Sequence, residues 1–196
     1  IINPATKGLT DIGKIASNFS SVSPFLALAA ASFTENNQFA FLVSLIIERA
    51  FELVEQSQSP LLCENFCRDS DVVTLLESIL AMNTKEGVLI EENLVDYDNS
   101  GLSIGSLNSI YISMANSFPN DDKDHGRELT INAIKWAKSQ PGSTIAMVDK
   151  YVNLLNKDLF LNRRRGQFQY VIGAGPGYEP TLVFSCDPLF KFEDDK

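Results

Sequence analysis

The sequence predicts a mainly α fold: an irregular multi-helix bundle with a short C-terminal β-hairpin or extended arm. Three observations carry this expectation. Serine followed by proline opens two apolar stretches, at Ser23-Pro24 and Ser59-Pro60. That pair supplies an N-cap oxygen and then a residue whose missing N–H costs nothing at the first helical position. Apolar residues recur at helical spacings along 38–56, 71–82 and 145–159. Strand-like runs of any length gather in the tail, at 168–172 and 181–186.

The elements follow in order. Residues 1–6 read as an extended arm, and Thr10 or Asp11 starts a first helix through Ser20. Residues 25–33, rich in alanine and leucine, form a closely packing helix. The stretch 38–56 is the strongest helix. Its first half is apolar on all sides, and its second sets Glu48, Arg49, Glu52 and Glu55 against Ile47, Ala50, Phe51 and Val54. A short helix after Ser59-Pro60 carries Leu61, Leu62, Phe66, Cys63 and Cys67. Asp69 or Ser70 caps the next, whose Val72, Leu75, Leu76 and Ile79 face inward.

Residues 84–101 are acidic and turn-rich, a long loop with room for a short strand at 88–90. Helical signal returns at 104–118, stops at Pro119 and resumes at Asn120 or Asp121. The acidic turn there suits the positive end of a helix dipole. After the Pro141-Gly142 break, Ser143 caps a helix whose stripe is Ile145, Val148, Val152, Leu155 and Leu159. The basic run Arg163-Arg164-Arg165 ends it at Gly166. The chain thus divides into a helical domain, 1–166, and a β-like arm, 167–196, packed on that domain or on a partner.

With 196 residues, 44% hydrophobic and 21% charged, the chain is long and apolar enough to bury a core without staples. A net charge of −9 repels phosphate backbones and anionic membrane surfaces, so nucleic acid is not an expected partner. Three cysteines, at 63, 67 and 186, are an odd number and too few for a disulfide scaffold. The apolar stretches at 24–33 and 39–47 fall short of the roughly 20 residues a membrane span needs. They read as core helices of a soluble protein. The chain starts at Ile1 without methionine, which fits a processed chain, organellar or secreted, or a trimmed one.

Several motifs carry residue types that chemistry uses. Residues 171–177 imitate the start of a dinucleotide fingerprint, but Tyr178 replaces the final glycine and too little chain follows for a crossover helix and second strand. Asp96-Tyr97-Asp98-Asn99-Ser100-Gly101 matches the first half of a calcium loop. Leu107 stands where a bidentate glutamate belongs, leaving Asp96, Asp98 and Ser100 as a weak cation site. Cys63 and Cys67, four apart on a helix, would share one face and serve as buried apolar residues or as attachment points for a prosthetic group. Cys67-Arg68-Asp69 loosely resembles the Cys-x-Arg-Asp segment that carries bilins in phycobiliproteins, with the spacer residue missing.

His125, the only histidine, sits at a helix start with no recognised nucleophile context. Glu91-Glu92 reads as solvated. Asn18-Phe19-Ser20 is a glycosylation sequon whose place inside a helix argues against its use. Arg163, Arg164 and Arg165 form the one concentrated positive feature, and Phe184, Leu189, Phe190 and Phe192 crowd a tail with little sequence to cover them.

No catalytic constellation emerges, and no cofactor is specified. The leading functional expectation is a non-enzymatic structural or interaction subunit of a larger assembly, with protein partners met through the tail and Arg163–Arg165. The alternatives are a ligand- or pigment-binding helical protein modified at Cys63 or Cys67, and an enzyme with an unrecognised site.

Overall fold

The fold is a computed structural model that describes residues 2–3, 8–119 and 125–156. Among these lie eight α-helices and one two-stranded antiparallel sheet. The helices are α1 (Asp11–Ser17), α2 (Pro24–Ser32), α3 (Asn37–Leu53), α4 (Pro60–Glu64), α5 (Asp71–Asn83), α6 (Ile104–Ser117), α7 (His125–Ser139) and α8 (Ser143–Asn156). Strands β1 (Thr84–Lys85) and β2 (Val88–Leu89) pair Thr84 with Leu89 and Lys85 with Val88. A 3₁₀ turn, Glu92–Leu94, follows. The mainly helical architecture is the expected one. The predicted hairpin or arm, Arg163–Arg165, Cys186 and the tail aromatics lie outside the described residues.

Helix starts are fixed by local chemistry. The side chains of Thr10, Ser23, Asn36, Ser59 and Ser70 each accept a hydrogen bond from the backbone N–H three residues on, at 2.9–3.5 Å. Each satisfies a donor that the helix itself leaves orphaned. Asn37 Nδ2 donates back to the carbonyls of Ala30 and Phe33, closing the end of α2 as α3 begins.

Helix α3 is the axis of the core. Every side chain from 39 to 47 is buried, and α2, α5, α6 and α7 pack around it. The two apolar segments seen in the sequence therefore meet as α2 on α3. Aromatic rings set the depth: Phe19 stacks on Phe41 at 4.4 Å, Phe118 tilts against Phe19 at 5.4 Å, and Phe39 meets Trp136 at 5.5 Å. On the far side Tyr151 of α8 stands edge-on to Phe33 at 5.5 Å. Its buried hydroxyl meets Ser44 Oγ at 2.6 Å, while Ser44 also bonds Ala40 O at 2.8 Å. Among the described residues no helix is long and apolar enough to cross a membrane.

Four local expectations are corrected. Phe51 does not face inward: it is 53% exposed, and Leu53 takes the buried place at the end of α3. Helix α4 ends at Glu64, so Cys63 and Cys67 do not share a helix face. The chain has already turned, and the Cys67 N–H donates to Thr74 Oγ1 at 2.9 Å. Helix α1 ends at Ser17, which leaves Asn18 of the sequon as its exposed C-cap rather than within it. Ser143 does not cap α8 from outside; it is the first helical residue, at φ 61°.

The acidic segment before α6 is stapled at its end. The Gly101 carbonyl accepts from Glu55 N and Gln56 N at 2.9 and 3.0 Å, and Ser59 Oγ donates to Ser100 O at 2.7 Å. Gly101 has φ 74°, and a Cβ there would fall 2.5 Å from the Ser59 Cβ. Its absence of a side chain thus serves close packing on the end of α3. That anchor aims the start of α6 and so positions the groove described next.

Candidate functional site

Two observations place the candidate site: a groove of about 660 Å³ and a buried polar network beneath it. One wall is β2 and the residues after it, Leu89, Glu91 and Glu92; the others are α6 and the first turn of α7. The walls meet closely because of Gly126. A Cβ at that position would lie 2.7 Å from the Tyr111 carbonyl carbon and closer still to its oxygen. Only a glycine lets α7 start against α6 here.

Beneath the groove, Arg127 of α7 and Asn83 of α5 together link its three walls. The Arg127 Nε donates to Asn83 Oδ1 at 2.7 Å, and its Nη2 donates to the Ile90 carbonyl at 2.8 Å. Asn83 is fully buried at the end of α5, and its Nδ2 donates to Ile79 O at 2.8 Å and to the Tyr111 hydroxyl at 3.0 Å. Burial raises the Tyr111 phenol well above its ordinary value, and the neighbouring Tyr97 phenol adds to the shift. Tyr97 is also raised, by burial first and then by the Glu92 carboxylate, with Arg127 opposing. The Tyr97 hydroxyl is shielded from solvent and has no hydrogen-bond partner among the described residues.

Across the top, α6 presents Ile104, Asn108, Ile112 and Asn116, four residues apart and all exposed. That spacing places them along one side of the helix. Ile112 is 61% exposed. Glu91, Glu92 and Glu128 line the rim, and none forms an ion pair among the described residues. Among the described residues the lining holds no histidine, cysteine, serine or threonine, and burial raises the phenol of its one tyrosine, Tyr111, well above the ordinary value. The surface so built presents apolar side chains, two amides and a carboxylate rim.

The residues singled out in the sequence lie elsewhere. Cys63 is an exposed thiol on α4, and Cys67 is half-buried against the core. Asp96 accepts from the backbone N–H and the side-chain amide of Asn99, at 3.2 and 2.9 Å. Ser100 is buried: its hydroxyl donates to Tyr97 O at 2.7 Å and accepts from Leu102 N at 3.1 Å. Asp98 is exposed. Among the described residues no three His, Cys, Asp or Glu side chains converge as metal ligands. His125 opens α7, half-buried, beside the groove lining rather than in it. Glu91 and Glu92 are exposed, as expected, and now have a place on the rim.

Sequence reasoning missed Asn83, Tyr97, Tyr111, Arg127 and the outer stripe of α6. One signal was legible, an isoleucine set midway between two asparagines at a spacing of four. A core helix buries its isoleucines and rarely flanks one with amides on the same face. No protein-family model matches the chain, and no curated protein or solved structure matches it at a significant level.

Proposed function

We propose that this chain is a non-enzymatic interaction subunit of a larger protein assembly, and that it docks through the groove between β2, α6 and α7. The observation that carries the reading is Ile112. A β-branched apolar side chain lines a concave surface and, among the described residues, stands mostly in solvent. Concavity with an apolar centre and a polar rim is the anatomy of a protein interface. Val88 and Leu94, beside the same wall, are exposed to 68% and 65%.

The experiment is native mass spectrometry of the protein isolated from its source, before and after Ile112→Glu. The chain is expected to travel with a second polypeptide, and the substitution to release it. Because Ile112 supports no core packing, the stability of the variant should stay within about 0.5 kcal/mol of the parent. A chain that flies alone, or a complex indifferent to the substitution, would remove the reading.

A further inference from the structure

We infer that the occupant of this groove is an extended, basic protein segment with one apolar anchor residue, its main chain gripped by Asn108 and Asn116; this deepens the docking reading above and rests on it. The two asparagines are eight positions apart on α6, which a rise of 1.5 Å per residue makes about 12 Å. Neither amide forms a hydrogen bond with the protein among the described residues, and both are exposed.

A primary amide offers a donor and an acceptor side by side, the complement of the C=O and N–H that one residue of an extended chain turns to the same side. An extended chain turns the same side to its neighbour every second residue, at about 6.6–6.8 Å, so two such repeats nearly match the separation. A helical occupant satisfies its own N–H and C=O groups and leaves both amides nothing to bind. The amides thus select extended main chain.

The anchor follows from what lies between them. Ile112 sits midway, with Leu89 and Ala115 of the same lining around it, and accepts one aliphatic side chain. Charge comes from the rim. Glu91 and Glu92 stand on one wall and Glu128 on another, with Arg127 as the one cation of the lining among the described residues. Its guanidinium is already turned to Asn83 and the Ile90 carbonyl. Three carboxylates against one engaged guanidinium favour Lys or Arg on either side of the anchor. The same rim repels phosphate, so a nucleic acid does not fit.

The test is selection of displayed random nonapeptides on the full chain, followed by affinity measurement of the enriched peptide. Enriched sequences should place Lys or Arg around one Leu, Ile, Met or Phe. Affinity should fall at least about tenfold in the Asn108→Ala, Asn116→Ala double variant, as expected for the loss of two to four neutral hydrogen bonds. It should fall further, and its salt dependence should invert, in the Glu91→Lys, Glu92→Lys, Glu128→Lys variant, whose three sites are exposed: the rim then repels the basic segment and added salt strengthens binding. Acidic or neutral consensus sequences, no enrichment at all, or affinity unmoved by both variants would overturn the inference. The docking reading fails separately. A native complex that survives the three charge reversals but not Ile112→Glu keeps the interface and loses the basic segment. A complex that survives Ile112→Glu loses both.

Discussion

Replacing Gly126 by alanine should loosen the joint that shapes the groove. Alanine is the better helix former by about 1 kcal/mol, so propensity alone predicts a more stable protein. The packing predicts the opposite. The new Cβ would stand 2.7 Å from the Tyr111 carbonyl carbon, where carbon atoms normally settle at about 3.5–4.0 Å. The obstacle is backbone, which no rotamer change can clear. The start of α7 must back away from α6 by on the order of 1 Å. Overpacking of this kind costs about 1–3 kcal/mol, and the rigid neighbour points to the upper end. After subtracting the propensity gain, the net loss is about 2 kcal/mol, or about 4–8 °C in Tm for a chain of this length. Thermal and urea denaturation measure it directly. Hydrogen exchange should show the Ile90 and Arg127 region opening first, because the Arg127 bonds to Asn83 and Ile90 depend on that approach. A variant as stable as the parent, or more so, would refute the close contact and the groove geometry built on it.

Two further predictions concern the buried hydroxyls. Ser44 holds one proton and two neighbours, Ala40 O and Tyr151 Oη. If it donates to Ala40, the tyrosine must donate to it. Ser44→Ala then strands a buried phenol at about 1–3 kcal/mol, whereas Tyr151→Phe removes one ordinary bond at about 0.5–1.5 kcal/mol; equal costs in chemical denaturation would contradict this assignment. Alkaline pH should unfold the protein through the same groups. Burial raises the Tyr151 and Tyr111 phenols far above the ordinary value of 10.0. Below pH 10 their contribution to stability is fully present. As pH rises above the unfolded value, the unfolded chain loses protons that the folded one keeps, and stability falls by about 1.4 kcal/mol per pH unit for each tyrosine. Tyr151→Phe should flatten that decline measurably between pH 10 and 12, and a stability that is level there would sink the argument.

Much of the fold could be read from single residues acting locally. The caps at Thr10, Ser23, Ser59 and Ser70 were visible because an N-cap needs only its own side chain and the next turn. The fully apolar half of α3 announced its burial by having no polar face. Errors arose where a distant contact decided. Helical phase placed Phe51 inward, but the bridge of Val54 to Leu102 and the bond from Ser103 N to Leu53 O, at 2.8 Å, draw the end of α3 round to Leu53 instead. Spacing placed Cys63 and Cys67 on one face, yet Thr74 draws the backbone of Cys67 out of helix.

The groove itself was hidden for a related reason. The network beneath it joins Asn83, Tyr111 and Arg127 from three helices, and nothing in their local sequence shows that they meet. Gly126 within a helical stretch was the nearest clue, since a helix tolerates glycine at a cost and often keeps it for close packing. Tyr97 and Ser100 show the converse. Their segment looked like half a calcium loop, and the structure spends Ser100 on fastening its own turn.

The most direct test of the central claim is photo-crosslinking from the centre of the groove. The chain would carry a benzophenone amino acid in place of Ile112, with a second preparation labelled at Lys14 of α1 as the control, and both would be irradiated in an extract of the source. The account predicts a covalent adduct to a second polypeptide from position 112, suppressed when Glu91, Glu92 and Glu128 are reversed in charge, and none from position 14. No adduct at 112, or the same adducts from both positions, would contradict it.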